Sequence, residues 1–429
     1  MFIKRINKIF EYVNSVKRED LFLALMVIGI PFSIKVGNLL LIIAFLFAIY
    51  ILISRGTYIL KKGSLAPYLF PIGFFLVLLI STLFSKDIGA GFRQVEKNLL
   101  LVIISFTLII LQGNRKVNQF LLLGVFTMAT FISTLFLLII GIIRILNGSS
   151  LDILFFHEFG AFFDLHPVYI AICVSVSIFI VTDRYFKILN KRAFLFLPVL
   201  LFFYTILILC ASKAIIITFI VLHLIHLQII QKYRYKYLSI LILTLFIVLI
   251  GITKNFARIK DGLHFNMAEF NPTQKIGEAK IFTNLEKANI SDLELRYVMF
   301  KIGLYHLWAE EKLIYGYGIG DVQHYTDYHY MIYNLAPGWY EGYNLHNQYL
   351  QFLVTFGVFI LLFFAYYLFY SFKIAIRSGN LIYLLFLILM SMVFLVESIL
   401  SRNKGIIIFY FFNTIFILKQ LNENRDIRN

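Results

Sequence analysis

About a dozen apolar stretches divide this chain, and each is close to the length that a helix needs to cross a bilayer. A transmembrane helix requires roughly 20 apolar residues to span about 30 Å of hydrocarbon. In this chain 60% of the residues are hydrophobic and only 14% are charged, whereas soluble domains carry about 25% charged residues. The sequence therefore predicts an all-α, polytopic integral membrane protein with about 12 transmembrane helices. The stretches lie at residues 21–34, 38–54, 67–84, 98–112, 118–145, 165–182, 193–211, 214–231, 237–253, 346–372, 381–397 and 404–419.

Lysine and arginine alternate between the loops that separate these stretches. The flanks on one side of the predicted membrane hold about 22 basic residues and the short loops on the other side about 8, and the richer side is normally cytoplasmic. Both termini are then cytoplasmic, and the long polar segment 254–345 faces the opposite side. In a soluble chain a net charge of +16 would suggest nucleic acid. Here the charge sets membrane orientation, so we expect membrane lipids around the chain and no nucleic-acid partner.

Three parts follow from this pattern: an N-terminal transmembrane bundle at 1–253, one long loop at 254–345, and C-terminal transmembrane helices at 346–429. The loop is predicted to be partly helical, because Ser291 and Glu294 form a capping-box pattern ahead of apolar residues at helical spacing. The residues that predict this amphipathic helix are Leu293, Tyr297, Phe300, Leu304 and Trp308. The polar residues of the loop before them show no clear period, and their structure is left open.

Three further local features carry structural predictions. The first apolar stretch is short and contains Pro31, which predicts a kinked or re-entrant segment. The basic N-terminal segment MFIKRINKIFEYVNSVKRED has no small-residue cleavage site, so we expect it to be retained along the cytoplasmic surface. Alternating glycines at Gly316, Gly318 and Gly320 favour a turn in which the backbone approaches another segment.

Several kinds of site are disfavoured by the sequence. Cys173 and Cys210 both lie inside apolar stretches, which argues against a disulfide framework or a CxxC metal site. The stretch HEFGAFFDLHP, residues 157–167, has no standard zinc spacing, and we interpret it as a loop at a membrane interface. The sequence contains no Walker A, GxSxG, HExxH or DxD motif, and the alternating glycines lack the spacing of a dinucleotide site. We therefore predict no cofactor and no metal site.

Polar residues at the membrane boundary concentrate on the non-cytoplasmic side. Cations there run against the positive-inside tendency, so each needs a ligand or a partner. An anionic lipid diphosphate would bind them. The alternative is that they pair with acids such as Glu96 or Glu397, or extend to water. The boundary residues are Arg93, His157, Asp164, His166, Lys213, Arg296, His306, His346 and Arg402.

The stretch LHNQYLQFLVTFG resembles the signature of the O-antigen ligase family, a His-Asn pair followed by a glycine at the start of a late transmembrane helix. In this chain these residues are His346, Asn347 and Gly357. Two further features fit: Arg296 opens a helix that leads to two glycines, and Lys213 follows Ser212 where the family commonly has Ser-Arg. Ile360 departs from the family, which often has Gly, Thr or Tyr at that position.

The resemblance implies a glycosyltransferase of the bacterial inner membrane. It would move a glycan from undecaprenyl diphosphate to an acceptor hydroxyl, such as one on lipid A-core, at the periplasmic face. The missing DxD-type carboxylate cluster predicts that such an enzyme binds its donor without a metal. His346 would be the general base, since imidazole titrates near neutral pH. Arg296 would bind the diphosphate through its planar fork. The residues expected to bind substrate are Lys213, Asn347, Gln348, Arg93 and Arg402.

Two other functions stay open at this point. A polysaccharide polymerase of the same superfamily would use the same kind of donor but extend another lipid-linked repeat; the His-Asn and glycine pattern favours the ligase. A secondary transporter of about 12 helices would favour inverted repeats and charges near the membrane midplane, and the sequence shows neither. Tyrosines that crowd the end of the long loop either stack on sugar rings or form an interfacial belt.

Overall fold

A computed structural model describes residues 17–55, 66–112, 118–187, 196–229, 264–267, 270–273 and 277–426. Within these ranges the chain is predominantly helical and contains no β-strand, which confirms the predicted all-α class. The stretch predicted to cross the membrane at 237–253 lies outside the described residues. So do residues 1–16 of the predicted N-terminal surface segment and residues 254–263, 268–269 and 274–276 of the long loop.

The helices are numbered here in chain order. They are α1 (Arg18–Gly29), α2 (Ile34–Arg55), α3 (Ala66–Leu83), α4 (Ile88–Asn98), α5 (Leu100–Gln112), α6 (Gln119–Leu146), α7 (His157–Gly160), α8 (Pro167–Lys187), α9 (Phe196–Cys210), α10 (Lys213–Ile229), α11 (Asn284–Asn289), α12 (Asp292–Ala309), α13 (Val322–Ile332), α14 (Gln348–Phe356), α15 (Val358–Arg377), α16 (Leu381–Val396) and α17 (Asn403–Asp426). Short 3₁₀ turns lie at Leu151–Leu154, Ala161–Phe163 and Ile399–Ser401. Helix α1 ends just before Pro31, as the predicted kink requires.

Five segments among the described residues are long and apolar enough to cross a membrane: Ile34–Ser54, Ile88–Gln112, Gln119–Leu146, Pro167–Arg184 and Val358–Arg377. Shorter apolar helices lie at Pro67–Leu83, Leu197–Cys210, Lys213–Ile229 and Leu381–Val396. These segments make the chain a membrane protein. The total of about 12 spans and the side on which the long loop lies remain predictions.

Apolar side chains that point outward show where lipid lies. On α15, Phe359, Leu362, Tyr366 and Phe369 are each about 60% exposed and follow one another at helical spacing. In water, such a stripe would be costly, since apolar surface is worth about 25 cal/mol per Å² when it is removed from water. In hydrocarbon this cost is absent, because the side chains do not meet water and the backbone polar groups of the helix are bonded within the helix. We therefore expect this face of α15 to lie against lipid.

The chain divides into two compact units, each assembled from separate segments. The first contains Met1–Leu69, Val102–Cys210 and Tyr410–Asn429, and the second contains Phe70–Leu101 and Ala211–Phe409. In the first unit, α1 packs on α2 and α6, and α8 packs on α9. The stretch at 157–167 is there an irregular connection of single turns between α6 and α8. All residues predicted for the active site lie in the second unit, and the predicted division of the chain at 253 and 345 stays a prediction.

Helix α12 begins at the predicted cap. Ser291 Oγ accepts the Glu294 N–H at 3.1 Å, and Glu294 Oε2 accepts the Ser291 N–H at 2.8 Å. The buried face of the helix, however, is not the stripe that the sequence suggested. Val298, Met299 and Ile302 pack against Tyr330 and Tyr333 at the end of α13. The predicted apolar stripe points outward, with exposed fractions of 39 to 71% at Leu293, Phe300, Leu304 and Trp308.

The stretch predicted as one helix at 346–372 is two helices, and this is a correction to the sequence interpretation. Gly357, at φ +81° and ψ −175°, separates α14 from α15. The glycine-containing segment before α13 lies against this break: the Tyr317 and Gly318 N–H groups donate to the carbonyls of Val354 and Thr355, both at 2.9 Å. The expected close approach of the glycine backbone to another segment is thereby confirmed, and it fixes the end of α14 to the loop.

Gly357→Ala is expected to destabilise the protein by more than the strain alone. The φ and ψ of Gly357 belong to a region that only glycine occupies readily, at a cost of about 1–3 kcal/mol for other residues. A Cβ there would also overlap the Ile314 carbonyl. Thermal unfolding of the detergent-solubilised protein measures the effect. Gly338→Ala is the matched control, since Gly338 also has a positive φ, +84°, but has no atom within 4 Å of an added Cβ. Equal unfolding temperatures for the two variants would contradict the packing argument.

Candidate active site

His346 is held at the start of α14 by the residues on either side of it. Asn344 Oδ1 accepts the His346 N–H at 2.9 Å, and Asn347 Oδ1 caps the helix by accepting the Leu350 N–H at 2.9 Å. His346 itself adopts φ +46°, a left-handed conformation that is uncommon for a side-chain-bearing residue and costs free energy. Asn347 Nδ2 donates to the Leu395 carbonyl at 3.0 Å, which ties the cap to the end of α16.

Glu397, the residue that follows α16, bridges the two residues predicted to be catalytic. Its Oε2 lies 3.2 Å from His346 Nδ1, and its Oε1 accepts a hydrogen bond from Arg296 Nη2 at 2.9 Å. The three side chains are 20 to 33% exposed, so they are partly buried but reachable. We call this arrangement the carboxylate bridge. It brings together residues that are 51 and 101 positions from Glu397 in the chain.

The carboxylate bridge fixes which nitrogen of His346 is basic. A carboxylate only accepts hydrogen bonds, so Nδ1 must carry the proton that faces Glu397. In the neutral ring Nε2 then holds the lone pair, and it is the nitrogen that can take a proton from a substrate. A histidine base that is oriented by a carboxylate is an arrangement found in enzymes of unrelated folds.

Arg296 is held in place by three contacts and keeps donors free for an anion. Besides its bond to Glu397, its Nε donates to the Val396 carbonyl at 3.1 Å and its Nη1 donates to the Asp292 carbonyl at 3.3 Å. A guanidinium has five N–H groups, so three contacts to described residues leave two. With a third of its side chain exposed, Arg296 can present those two to a phosphate.

Lys213 stands beside this group at the start of α10. Its Nζ makes an ion pair with Asp292 Oδ2 at 2.6 Å, and the Lys213 side chain is 17% exposed. Asp292 thus contacts Lys213 through its side chain and Arg296 through its carbonyl. The predicted alternative, that boundary cations pair with acids, is correct for both Lys213 and Arg296. Pairing does not remove their donors, so their predicted roles toward substrate stay predictions.

The remaining predicted residues lie in different surroundings. Gln348 is fully buried, and its Oε1 accepts the Leu400 N–H at 2.7 Å, so this atom holds the turn after α16. Arg402 follows that turn with an exposed side chain. Arg93 is exposed on α4 and acts electrostatically on Asp87, and among the described contacts it has none with the carboxylate bridge. Substrate binding by these three residues remains a prediction.

A surface cavity of about 830 Å³ lies near Arg93 in the second unit. Asp321 shapes it by accepting the N–H groups of Lys86 and Asp87, both at 2.8 Å, and His324 lies 3.2 Å from Asp87 Oδ2. Two tyrosine rings, two carboxylates, a histidine and a lysine amine line the same cavity. The lining residues are Lys86, Asp87, Ile88, Gly89, Asp321, His324, Tyr325 and Tyr328.

Glu397 is the residue that the sequence did not assign to the site. It appeared only as one acid that could neutralise a boundary cation. A carboxylate at the end of an apolar stretch, outside the recognised motif, was the available signal.

Residues 194–365 match the model of the O-antigen ligase family. This range contains Lys213, Arg296 and His346 but not Glu397. The comparison with curated proteins found no match.

Proposed function

We propose that this chain, whose residues 194–365 belong to the O-antigen ligase family, transfers a glycan from undecaprenyl diphosphate to an acceptor hydroxyl, with lipid A-core as the acceptor. The family match supports a glycosyltransferase of the ligase and polymerase superfamily. The observation that carries the proposal further is the carboxylate bridge, because Glu397 joins a candidate base, His346, to a candidate phosphate-binding cation, Arg296, within hydrogen-bonding distance.

Transfer would proceed by a single displacement. The acceptor oxygen attacks the anomeric carbon of the donor glycan while His346 Nε2 removes the hydroxyl proton. The bond between that carbon and the diphosphate oxygen breaks, and undecaprenyl diphosphate leaves with the electron pair. Arg296 stabilises the charge that develops on the leaving oxygen through its two remaining N–H groups. Glu397 stabilises the imidazolium that forms and so lowers the cost of the proton transfer.

Metal is not needed for this proposed step, since a fixed guanidinium can supply the positive charge that the leaving group requires. Lys213 adds a second positive charge next to Asp292. As a compact point charge on a flexible stem it is less suited to bidentate phosphate binding than the arginine that relatives commonly have. Arg296 is therefore the principal cation in the proposal, and Lys213 is the auxiliary one.

The proposed location is the bacterial inner membrane, with both termini cytoplasmic and the loop 254–345 in the periplasm. The distribution of lysine and arginine supports it. With this orientation the carboxylate bridge lies at the periplasmic edge of the bilayer, since His346 directly follows the loop and Glu397 ends an apolar helix. A lipid-linked donor would reach this edge from the bilayer, and a hydroxyl acceptor from the aqueous side.

The function is tested in a strain that lacks this protein, complemented with the wild-type chain at a matched membrane level. Lipid-linked glycans and envelope polysaccharide are resolved on a gel. The proposal expects that polymer is missing from lipid A in the null strain and that long chains accumulate on undecaprenyl diphosphate. Accumulation of single repeat units would instead show a polymerase. An unchanged glycan profile would contradict both and favour the transporter.

Glu397→Gln is expected to lower the transfer rate by about tenfold or more. The upper limit is the loss that removal of the base itself would cause, about 10,000-fold. The amide can donate to Nδ1 and so favour the wrong tautomer of His346. The rate is measured in membrane vesicles with lipid-linked donor. Glu397→Asp keeps the charge and should retain more activity, and the exposed Glu96→Gln on α4 is the control. Full activity in Glu397→Gln would exclude the carboxylate bridge from catalysis.

A further inference from the structure

The cavity beside Arg93 is not used by the proposed step at His346. Its walls come from two segments of the second unit, the turn that starts α4 and the start of α13. Its volume of about 830 Å³ falls within the range typical of ligand sites, about 300–1,000 Å³. We call it the α13 cavity, and its polar lining side chains include Lys86, Asp87, His324, Tyr325 and Tyr328.

Hydrogen bonds hold the two walls of the α13 cavity together. Asp321, the residue before α13, is buried and accepts the N–H groups of Lys86 and Asp87, both at 2.8 Å. One position earlier, the Gly320 N–H donates to Ser85 Oγ at 3.1 Å. A Cβ at Gly320 would overlap the Asp87 carbonyl, so the two backbones are in direct contact. The cavity is therefore formed before a ligand enters, as sites for small molecules usually are.

Apolar side chains lead along α3 to the lining of the α13 cavity. On α3, Leu76, Ile80 and Leu83 follow one another at helical spacing, and each is more than half exposed. Phe84 continues this stripe with a larger exposed fraction, and the exposed Ile88 lines the cavity itself. We expect the stripe to lie against lipid, for the same reason as the exposed face of α15. The cavity then opens at the edge of the bilayer, where the polar part of a lipid-anchored molecule lies.

The lining of the α13 cavity combines ring surface with hydrogen-bonding groups that are free for a ligand. Tyr325 and Tyr328 each supply an apolar ring and a hydroxyl. A sugar offers the same combination, since its C–H face packs on a ring and its hydroxyls both donate and accept. Within the described part of the chain, the hydroxyls of both tyrosines and the Lys86 amine have no hydrogen-bond partner.

Charges in and around the α13 cavity nearly cancel. Asp87 and Asp321 carry carboxylates, and Lys86 carries an amine. Arg93 acts electrostatically on Asp87 from α4, and Asp87 Oδ2 lies 3.2 Å from the exposed His324 ring. A phosphate would meet two carboxylates here, and like charges repel. The balance therefore favours a neutral ligand rich in hydroxyl groups over an anion.

Helix α13 also joins this cavity to the proposed base. Gln323 Nε2 donates to the Tyr343 carbonyl at 3.4 Å, and Asp327 Oδ1 accepts the Gly342 N–H at 2.9 Å. The centroid of the Tyr343 ring lies 5.8 Å from that of His346. The helix that supplies one wall of the cavity thus holds the segment that ends at His346.

We infer that the α13 cavity binds the saccharide part of the acceptor, a glycolipid whose acyl chains lie along α3. The inference rests on the proposed function, in which the donor diphosphate binds Arg296 on α12 and α13 is left for the second substrate. A sugar of the acceptor packs on the Tyr328 ring and forms hydrogen bonds with Lys86 and Asp87. The cavity thereby selects which acceptor reaches His346 Nε2.

Binding of a water-soluble acceptor fragment to the purified full-length protein in detergent tests the inference. The probe is core oligosaccharide released from lipopolysaccharide by mild acid, which carries no acyl chains, and its Kd is measured by calorimetry without donor. Tyr328→Ala should weaken binding by about tenfold. Asp87→Asn keeps the N-cap of α4 because asparagine caps as well as aspartate, and it should also weaken binding by about tenfold. Tyr315→Ala, in an exposed tyrosine outside the cavity, is the matched control and should bind as the wild type does.

Transfer kinetics in membrane vesicles separate the acceptor from the donor. Tyr328→Ala should raise the KM for acceptor by about tenfold and leave the KM for donor within about twofold. A rise in the KM for donor alone would place the donor glycan in the cavity and overturn the inference. Absence of oligosaccharide binding to the wild type would also overturn it, as would displacement of the oligosaccharide by glycerol phosphate, the headgroup chemistry of an anionic phospholipid.

Failure of this inference is distinguishable from failure of the proposed function. A chain that transfers glycan, with unchanged Kd and KM for acceptor in Tyr328→Ala and Asp87→Asn, would refute the inference alone. Since binding is measured without donor, a chain that binds the oligosaccharide through Tyr328 but transfers no glycan would refute the proposed function alone. Tyr328 is well exposed, so its variant should unfold at the temperature of the wild type.

Discussion

Replacing His346 with alanine should lower the rate of glycan transfer by about 100- to 10,000-fold, the usual contribution of a general base. The proton of the attacking hydroxyl would then lose its acceptor, because the neighbouring Glu397 is paired with Arg296 through Oε1 and a carboxylate is ordinarily a weaker base than imidazole. The rate is measured in membrane vesicles supplied with lipid-linked donor and acceptor, at a protein level matched by immunoblot. The same variant should leave polymer-free lipid A in the complemented strain.

Folding of the His346 variant is a separate question with its own control. The side chain contributes one hydrogen bond, to Glu397, and is a quarter exposed, so its loss should cost little stability. The left-handed backbone at φ +46° is retained by asparagine more readily than by most residues, and His346→Asn therefore keeps the local conformation without the base. His264→Gln, in an exposed histidine of the same unit, should be fully active. Wild-type rates in both His346 variants would mean that another group is the base.

The local part of the site could be predicted because it depends on neighbours in sequence. The capping box at Ser291 acts within three residues, and the motif that contains His346, Asn347 and Gly357 is itself one short stretch. The spacing alone predicted one helix through Gly357, since apolar periodicity continues across it. The break was missed because it depends on the loop backbone near Gly316 that packs against it, and no property of the apolar stretch itself reports that contact.

The parts that were not predicted all depend on distant contacts. Arg296 and His346 were each chosen separately, and only the fold shows that Glu397 joins them. Helix α12 is apolar on more than one side, so its periodicity could not decide which side is buried, and the structure buries Val298 and Ile302 rather than Phe300 and Leu304. Lys86 and Asp321 are 235 positions apart, and the cavity that they line follows from the packing of the turn before α4 against the start of α13.

Arg296→Ala should reduce transfer by about 100- to 1,000-fold, as expected when one fixed donor to a developing negative charge is lost. Lys213 cannot fully take its place, because its ammonium is a point charge without the planar fork of arginine and lies at Asp292, 2.6 Å away. Arg296→Lys keeps the charge but loses the fork that bonds Glu397, Val396 and phosphate together, so it should recover only part of the rate. Lys301→Ala removes a cation from the same helix, away from the carboxylate bridge, and should leave the transfer rate nearly unchanged.

In the Arg296 variants the rate constant should fall more than the apparent affinity for donor, because the charge that Arg296 stabilises develops as the diphosphate leaves. Full activity in both Arg296 variants would separate this arginine from the leaving group and leave it a structural partner of Glu397.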